Sequence, residues 1–191
     1  MIRDDIVQAA TRIFSRRGYH GTSMQHIAEE LGMRKPSLYH HVSAKEDLLF
    51  AIHQRLIDKL VDGTLEVVSS SLGPEEKLRR IILVNTEMVT GDVDAVSVFL
   101  KERDAIAGER WAGVVAQRDV YEQMVAGVIR DGVSSGVFAP SDPVLLTKAV
   151  LSMPSWASMW YRADGPMSAE QLAELFSDVA LYGLVGRRRS D

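Results

Sequence analysis

The sequence predicts an all-α protein of about nine helices, three short ones first and a larger helical remainder after them. Apolar residues recur at one-face helical spacing along the whole chain. N-capping residues and Gly or Pro stops punctuate that pattern at helix-length intervals, and no segment alternates as a strand does. The composition agrees: 46% hydrophobic and 25% charged residues over 191 positions suit one large globular domain or two small ones. Cysteine is absent, which excludes disulfide scaffolds, thiolate metal sites and cysteine nucleophiles. No apolar run approaches the ~20 residues of a membrane span, and the start Met-Ile-Arg-Asp-Asp does not read as a signal peptide. The expectation is a soluble, cytoplasmic chain that engages no membrane.

The elements follow in order. Ile6, Ala9, Ala10, Ile13 and Phe14 line one face of a first helix, and Gly18 stops it after Arg16-Arg17. A second helix opens at Thr22 or Ser23, with Thr22 and Gln25 at capping-box spacing, and runs through Ile27, Ala28 and Leu31 to Gly32. Pro36 suits the first turn of a short third helix carrying Ser37 to His41. Ser43 and Glu46 form a second capping-box pair ahead of a long helix through Leu48, Ile52, Leu56 and Leu60. Gly73-Pro74 opens the next, and Gly91-Asp92 breaks it. A short stretch from Asp94 to Ala105 follows, then a long segment from about Glu109 to Ser134. Asp142-Pro143 starts a helix through Trp160 with Pro154 as a kink point, and Ser168 with Gln171 caps the last.

Charge is spread unevenly. The net charge of −4 argues against a nucleic-acid binder taken alone. Yet residues 1–50 hold seven Lys/Arg against six acids, and four of the five histidines. Within that basic quarter, Thr22 to Val42 reads as two short helices joined at Gly32-Met33-Arg34, the spacing of a helix-turn-helix. Thr22 and Ser23 offer hydroxyls and free N–H groups at a helix start, a natural phosphate site. Arg34, Lys35, Pro36 and Ser37 fall in the turn and first turn of the second helix, where such helices meet base edges. Tyr39, His40 and His41 add hydrogen-bonding reach, and Lys45 stands where a cation meets a flanking phosphate. His40 and His41 make no metal site, because adjacent helical side chains diverge by about 100°. The same spacing also occurs as a mere packing motif.

The run GYHGTSMQHIAEELGMRKPSLYHHVSAKEDLL, residues 18–49, resembles the DNA-binding domain of the TetR family of transcriptional regulators. The resemblance rests on Gly18, Thr22-Ser23, Ile27-Ala28, Gly32, Ser37-Leu38-Tyr39, His41 and Lys45-Glu46. It implies a homodimeric, ligand-responsive and usually repressing protein that binds double-stranded operator DNA. By position, Tyr39 and Lys45 then match the family's phosphate contacts, and Arg34, Lys35 and Ser37 its sequence-reading positions. The expected division is a DNA-binding domain over 1–46 and a ligand-binding and dimerisation domain over 47–191.

In that larger domain, Leu146, Val150, Leu172, Leu175, Phe176 and Val179 line apolar faces suited to a four-helix bundle with a second copy, or to packing within one subunit. Met88, Phe99, Trp111, Tyr121, Met153, Trp156 and Trp160 suit an apolar pocket, although each also reads as plain core. The Trp-x3-Trp-Tyr-Arg-x-Asp-Gly-Pro pattern at 156–166 looks like TetR regulators of fatty-acid and steroid catabolism that respond to acyl-CoA thioesters. Arg103 and Arg162 are the expected phosphate partners of such an effector, or Arg162 an ion pair across the dimer. A drug-like lipophilic ligand of an efflux regulator fits the same aromatics. Against an enzyme, there is no Gly-rich phosphate loop, His-Glu-x-x-His site or nucleophile elbow. The remaining class is a helical adaptor without DNA binding. No cofactor or metal is expected.

Overall fold

The computed structural model describes residues 2–102, 105–106, 108–162 and 164–183. Among these residues it has nine helices and no strand, as the periodicity predicts. They are α1 (Asp4–Arg17), α2 (Met24–Glu30), α3 (Lys35–Tyr39), α4 (Lys45–Ser69), α5 (Pro74–Gly91), α6 (Val93–Lys101), α7 (Gly108–Ser134), α8 (Pro143–Ala157) and α9 (Ala169–Tyr182).

The helices begin and end for local reasons. Asp4 and Asp5 open α1 and Arg16 and Arg17 close it, each charge opposing the partial charge of its helix end. Ser23, not Thr22, caps α2: its hydroxyl accepts from the His26 amide while His26 Nδ1 accepts from the Ser23 N–H. Thr22 is unavailable for this because its hydroxyl turns back to donate to the Gly18 carbonyl at 2.8 Å. At the end of α2 the Met33 amide bonds to Ala28 O and the Gly32 amide to Glu29 O. This Schellman closure requires the positive φ of 63° that Gly32 supplies without strain. The second expected capping box is also shifted by one residue. Asp47, rather than Glu46, reaches back to the Ala44 N–H at 2.9 Å, so α4 starts at Lys45. Asp92, Asp142 and the Ser168–Gln171 box cap α6, α8 and α9. Helix α6 stops at Lys101, short of the expected Ala105. Helix α8 stops at Ala157, where the Trp160 and Tyr161 amides both fold back onto the Ala157 carbonyl.

The chain forms two compact units. The first comprises residues 1–58 and 92–117, the second residues 59–91 and 118–191. Helices α4 and α7 each contribute a segment to both. The expected boundary at 46/47 falls in the first turn of α4, which continues unbroken to Ser69. In the first unit α1 packs on α2 and α6, and α2 on α3, around Ile6, Phe14, Ile27, Leu38, Leu48, Leu49 and Ile52. In the second unit α5 packs on α8 and α9 around Leu78, Ile81, Ile82, Leu151 and Leu172. Gly63 lets α4 approach closely there, since a Cβ in its place would meet Val84 Cγ1 at 2.8 Å.

Candidate nucleic-acid interface

Helix α3 is only five residues long, so its own backbone does not hold it. It is held by Leu38, fully buried, and by Val42 just beyond its end, over the buried Ile27 and Ala28 of α2. With that face inward, Arg34, Lys35, Pro36, Tyr39, His40 and His41 are exposed and Ser37 is half-buried. Lys35 and Tyr39, one helical turn apart, share a side: the ammonium lies 5.9 Å from the ring centroid. In the same unit Arg3, Arg12, Arg55 and Arg110 are paired with Asp5, Glu30, Asp4 and Asp47. Arg34 and Lys35 have no ion pair among the described residues. Two uncompensated cations on an exposed, rigidly seated helix start form a surface complementary to a polyanion.

The residues flanking α3 divide. Ser23 is exposed, with its hydroxyl engaged in the α2 cap. Thr22 is buried in the α1–α2 loop. Lys45 turns inward: its Nζ donates to the carbonyl oxygens of Tyr19 and Thr22, both at 2.8 Å, and lies 4.1 Å from the Tyr19 ring centroid. Tyr19 itself carries no signal in the sequence spacing. It is buried, edge-on to Phe14, with its amide donating to Glu102 Oε1 at 3.0 Å. Burial and the Glu46 and Glu102 carboxylates push its phenol well above the ordinary value.

These residues match known sequences. Residues 6–52 match the model of the tetR family of bacterial regulatory proteins. Residues 71–184 match that of the tetracyclin repressor-like C-terminal domain. The chain belongs to the TetR family. It is therefore a ligand-responsive, DNA-binding transcriptional regulator and not an enzyme. The HTH-type transcriptional repressor KstR2 of Mycobacterium tuberculosis (strain ATCC 25618 / H37Rv) is 26% identical over 184 residues, 95% of this chain and 92% of that protein. The TetR-family regulator PfmR from Thermus thermophilus is 33% identical with a TM-score of 0.89, covering 96% of this chain and 100% of that one. AibR, solved in complex with isovaleryl coenzyme A and operator DNA, is also 33% identical, with a TM-score of 0.83 over 92% of this chain and 96% of its own.

The residues expected to meet a ligand fall into separate groups. In the first unit Phe99 and Trp111 flank His53, with ring centroids 5.0 and 6.1 Å away. His53 is fully buried; its Nδ1 lies 3.0 Å from the Leu49 carbonyl, and its Nε2 has no partner among the described residues. Desolvation holds its pKa below the ordinary value, against the Leu49 and Phe99 carbonyls and the Glu102 charge. Since a carbonyl only accepts, the Leu49 contact calls for the proton on Nδ1. The sequence alone does not point to His53, because a single histidine on an apolar helix face is ambiguous. In the second unit Tyr121 is buried, its hydroxyl accepting from Asn85 Nδ2 at 3.0 Å, and Met88 and Met153 are half-buried. Trp156 and Trp160 are instead 66% and 51% exposed, and Arg162 is exposed and paired with Asp164. Arg103 lies outside the described residues.

Of the residues expected at a dimer interface, Val150, Leu172 and Phe176 are buried within the chain, Leu146 and Val179 are half-buried, and Leu175 is exposed. The exposed residues of α8 are Val144, Leu145, Lys148, Ala149, Ser152 and Trp156, of which Leu145, Ala149, Ser152 and Trp156 follow one another at helical spacing. Among the described residues no helix is long and apolar enough to cross a membrane.

Proposed function

We propose that this regulator represses transcription from the chromosome in the cytoplasm, gripping a palindromic operator as a homodimer and releasing it when an acyl-CoA thioester binds. The observation that carries the DNA half is the uncompensated Arg34–Lys35 pair on a helix seated by Leu38. Arg34, Lys35 and Ser37 read base edges, Tyr39 meets a phosphate, and Ser23, Pro36, His40 and His41 flank the contact. Residues 1–46 supply this reading head, and residues 47–191 supply sensing and pairing. Two copies meet through α8 and α9, where Leu145, Trp156 and Leu175 are exposed, which doubles the bases read at half-sites about one helical turn apart.

The effector half is supported by AibR, which was solved with isovaleryl coenzyme A, and by the aromatic pair Phe99 and Trp111 around His53. Release follows from linkage. The effector favours the form whose two reading heads do not match the half-site spacing, and affinity for DNA falls by the same factor.

The test is a titration into DNA from upstream of the chain's own gene at two salt concentrations, with isovaleryl-CoA, palmitoyl-CoA or no addition. Salt-dependent binding abolished by either thioester supports the full reading. Binding indifferent to both removes the effector class and leaves the operator half standing. A promoter reporter separates repression from activation by the direction of its change on deletion of the regulator.

A further inference from the structure

Helix α7 begins beside the start of α4 and touches it at two levels. Arg110, in the first turn of α7, donates from Nη1 to Asp47 Oδ1 at 2.6 Å, and its guanidinium stands 5.4 Å from the Phe50 ring centroid. Trp111, the next residue, lies edge-on to His53, with ring centroids 6.1 Å apart. Adjacent helical side chains diverge by about 100°, so one turn of α7 reaches both the start of α4 and the aromatic group of Phe99, His53 and Trp111. Asp47 also faces two ways. Its Oδ2 accepts the Ala44 amide at 2.9 Å, which fixes the turn between α3 and α4, while Oδ1 takes the Arg110 donor. The guanidinium, with the Ala44 and Ser43 amides, holds this half-buried carboxyl below the ordinary carboxylate range against the opposing effect of burial. Val42 of the same turn donates its amide to the carbonyl of Leu38, the residue that seats α3. The Arg110–Asp47 pair thus spans 63 residues and joins α7 directly to the α3–α4 turn.

We infer that Arg110 carries the effector signal to the reading helix: its guanidinium ties the turn of α7 that holds Trp111 to Asp47, and through the Asp47–Ala44 bond to the turn that carries α3. The inference rests on an effector seated beside Trp111, as proposed above. A ligand that displaces the Trp111 ring moves its neighbour Arg110, and Asp47 loses its cation. The Ala44 amide is then held by a carboxylate free to turn, and α3 is no longer fixed at the angle at which it meets bases. By reciprocity, a reading head seated on DNA holds Asp47 on Arg110 and opposes entry of the ligand by the same factor. Arg110 therefore differs from a ligand contact, whose loss weakens effector binding, and from a brace, whose loss weakens operator binding alone. A link acts only while both ends hold, so its loss uncouples the two sites.

The experiment compares the full chain with R110M, which keeps the aliphatic stem, and R110K, which keeps the charge. Binding to an operator selected by the wild type from a random pool is measured without and with saturating isovaleryl-CoA or palmitoyl-CoA, and the ratio of the two affinities is the release factor. Calorimetry gives the thioester affinity of the free protein. R110M is expected to lower the release factor about fivefold, the low end for coupled sites, and R110K to restore part of it. Thioester affinity is expected not to fall, and operator affinity without thioester to fall by no more than the release factor does. An unchanged release factor overturns the inference: with weaker thioester binding Arg110 is a ligand contact, and with weaker operator binding it is a brace. If neither thioester releases the wild type, the effector reading fails separately; if the wild type selects no operator, the assignment of α3 does. In either case Arg110 is judged by hydrogen exchange at the Ala44 amide, which donates to Asp47. Faster exchange in both R110M and W111A, with no further gain in the double variant, supports the link. Additive gains, or an Ala44 amide indifferent to either substitution, overturn it. If R110M does not fold by circular dichroism, R110Q carries the same readouts.

Discussion

Helices α3 and α8 both expose what proteins usually compensate, and they expose opposite things. Helix α3 and its flanking residues turn Leu38 inward and leave the unpaired Arg34 and Lys35 and the rings of Tyr39, His40 and His41 outside. Helix α8 buries Val150 and Leu151 and leaves Leu145 and Trp156 outside, 65% and 66% exposed. An uncompensated charge on a rigid support is satisfied by a polyanion in water, whereas an exposed indole stripe gains only by excluding water against another apolar surface. Under the proposed function the two helices accordingly meet different partners, DNA for α3 and the surface of a second copy for α8. Size follows from the same contrast: five residues suffice for α3 because its neighbours hold it, while α8 needs fifteen to present a face long enough for a partner.

The comparison breaks most severely at Leu38. Replacing it with alanine removes the one fully buried side chain of α3 and is expected to cost about 2–5 kcal/mol of stability, with DNA binding lost alongside. Urea unfolding measures this, and a loss under about 1 kcal/mol means that α3 is not seated by Leu38. At α8 the pattern inverts. Trp156→Ala is expected to leave the unfolding of the single chain nearly unchanged, since the ring is already solvated. It should weaken self-association by about 2 kcal/mol or more in sedimentation equilibrium. An unchanged association constant takes this stripe out of the dimer.

Lys35→Ala sharpens the polar half. If Lys35 reads a base edge, it loses about 1–3 kcal/mol of discrimination at one operator position. Equal losses on operator and random DNA refute that role and leave Lys35 as a phosphate contact.

What was legible in the sequence follows the range of the interactions that decide each feature. Helix number, the Gly32 stop and the Ser168–Gln171 box depend on residues within one turn of each other, and the sequence displays them. The α2 cap was ambiguous because Thr22–Gln25 and Ser23–His26 have identical spacing. The deciding bond runs back to Gly18, into a loop whose path depends on tertiary packing. Lys45 looked like a surface cation because its partners are more than twenty residues away. The apolar residues of α8 and α9 failed to sort for a different reason. Periodicity identifies a nonpolar stripe but not whether the stripe faces the same chain or another, so Val150 and Trp156 read alike although one is buried and the other solvated.

The smallest expected effect concerns His53, in the aromatic group that separates the two helices' concerns from effector sensing. Its folded pKa is depressed below the ordinary 6.5, with burial as the leading cause. The sign follows from proton counting. As pH falls through about 6.5 the unfolded chain takes up a proton at this residue that the folded chain refuses, so stability declines toward acid and recovers above that value. The slope contributed by one such group cannot exceed about 1.4 kcal/mol per pH unit, and the Leu49 and Phe99 carbonyls with the Glu102 charge reduce its span. His53→Gln, which keeps a donor for Leu49 without a titrating ring, should flatten the stability profile between pH 6.5 and the folded pKa. Parallel profiles for the two proteins locate the acid sensitivity elsewhere. A thioester that binds against Nε2 adds a second consequence: a hydrogen-bond donor on the ligand is met only while the folded imidazole stays neutral, so effector affinity should hold through that window and fall only below the folded pKa, and only in the wild type.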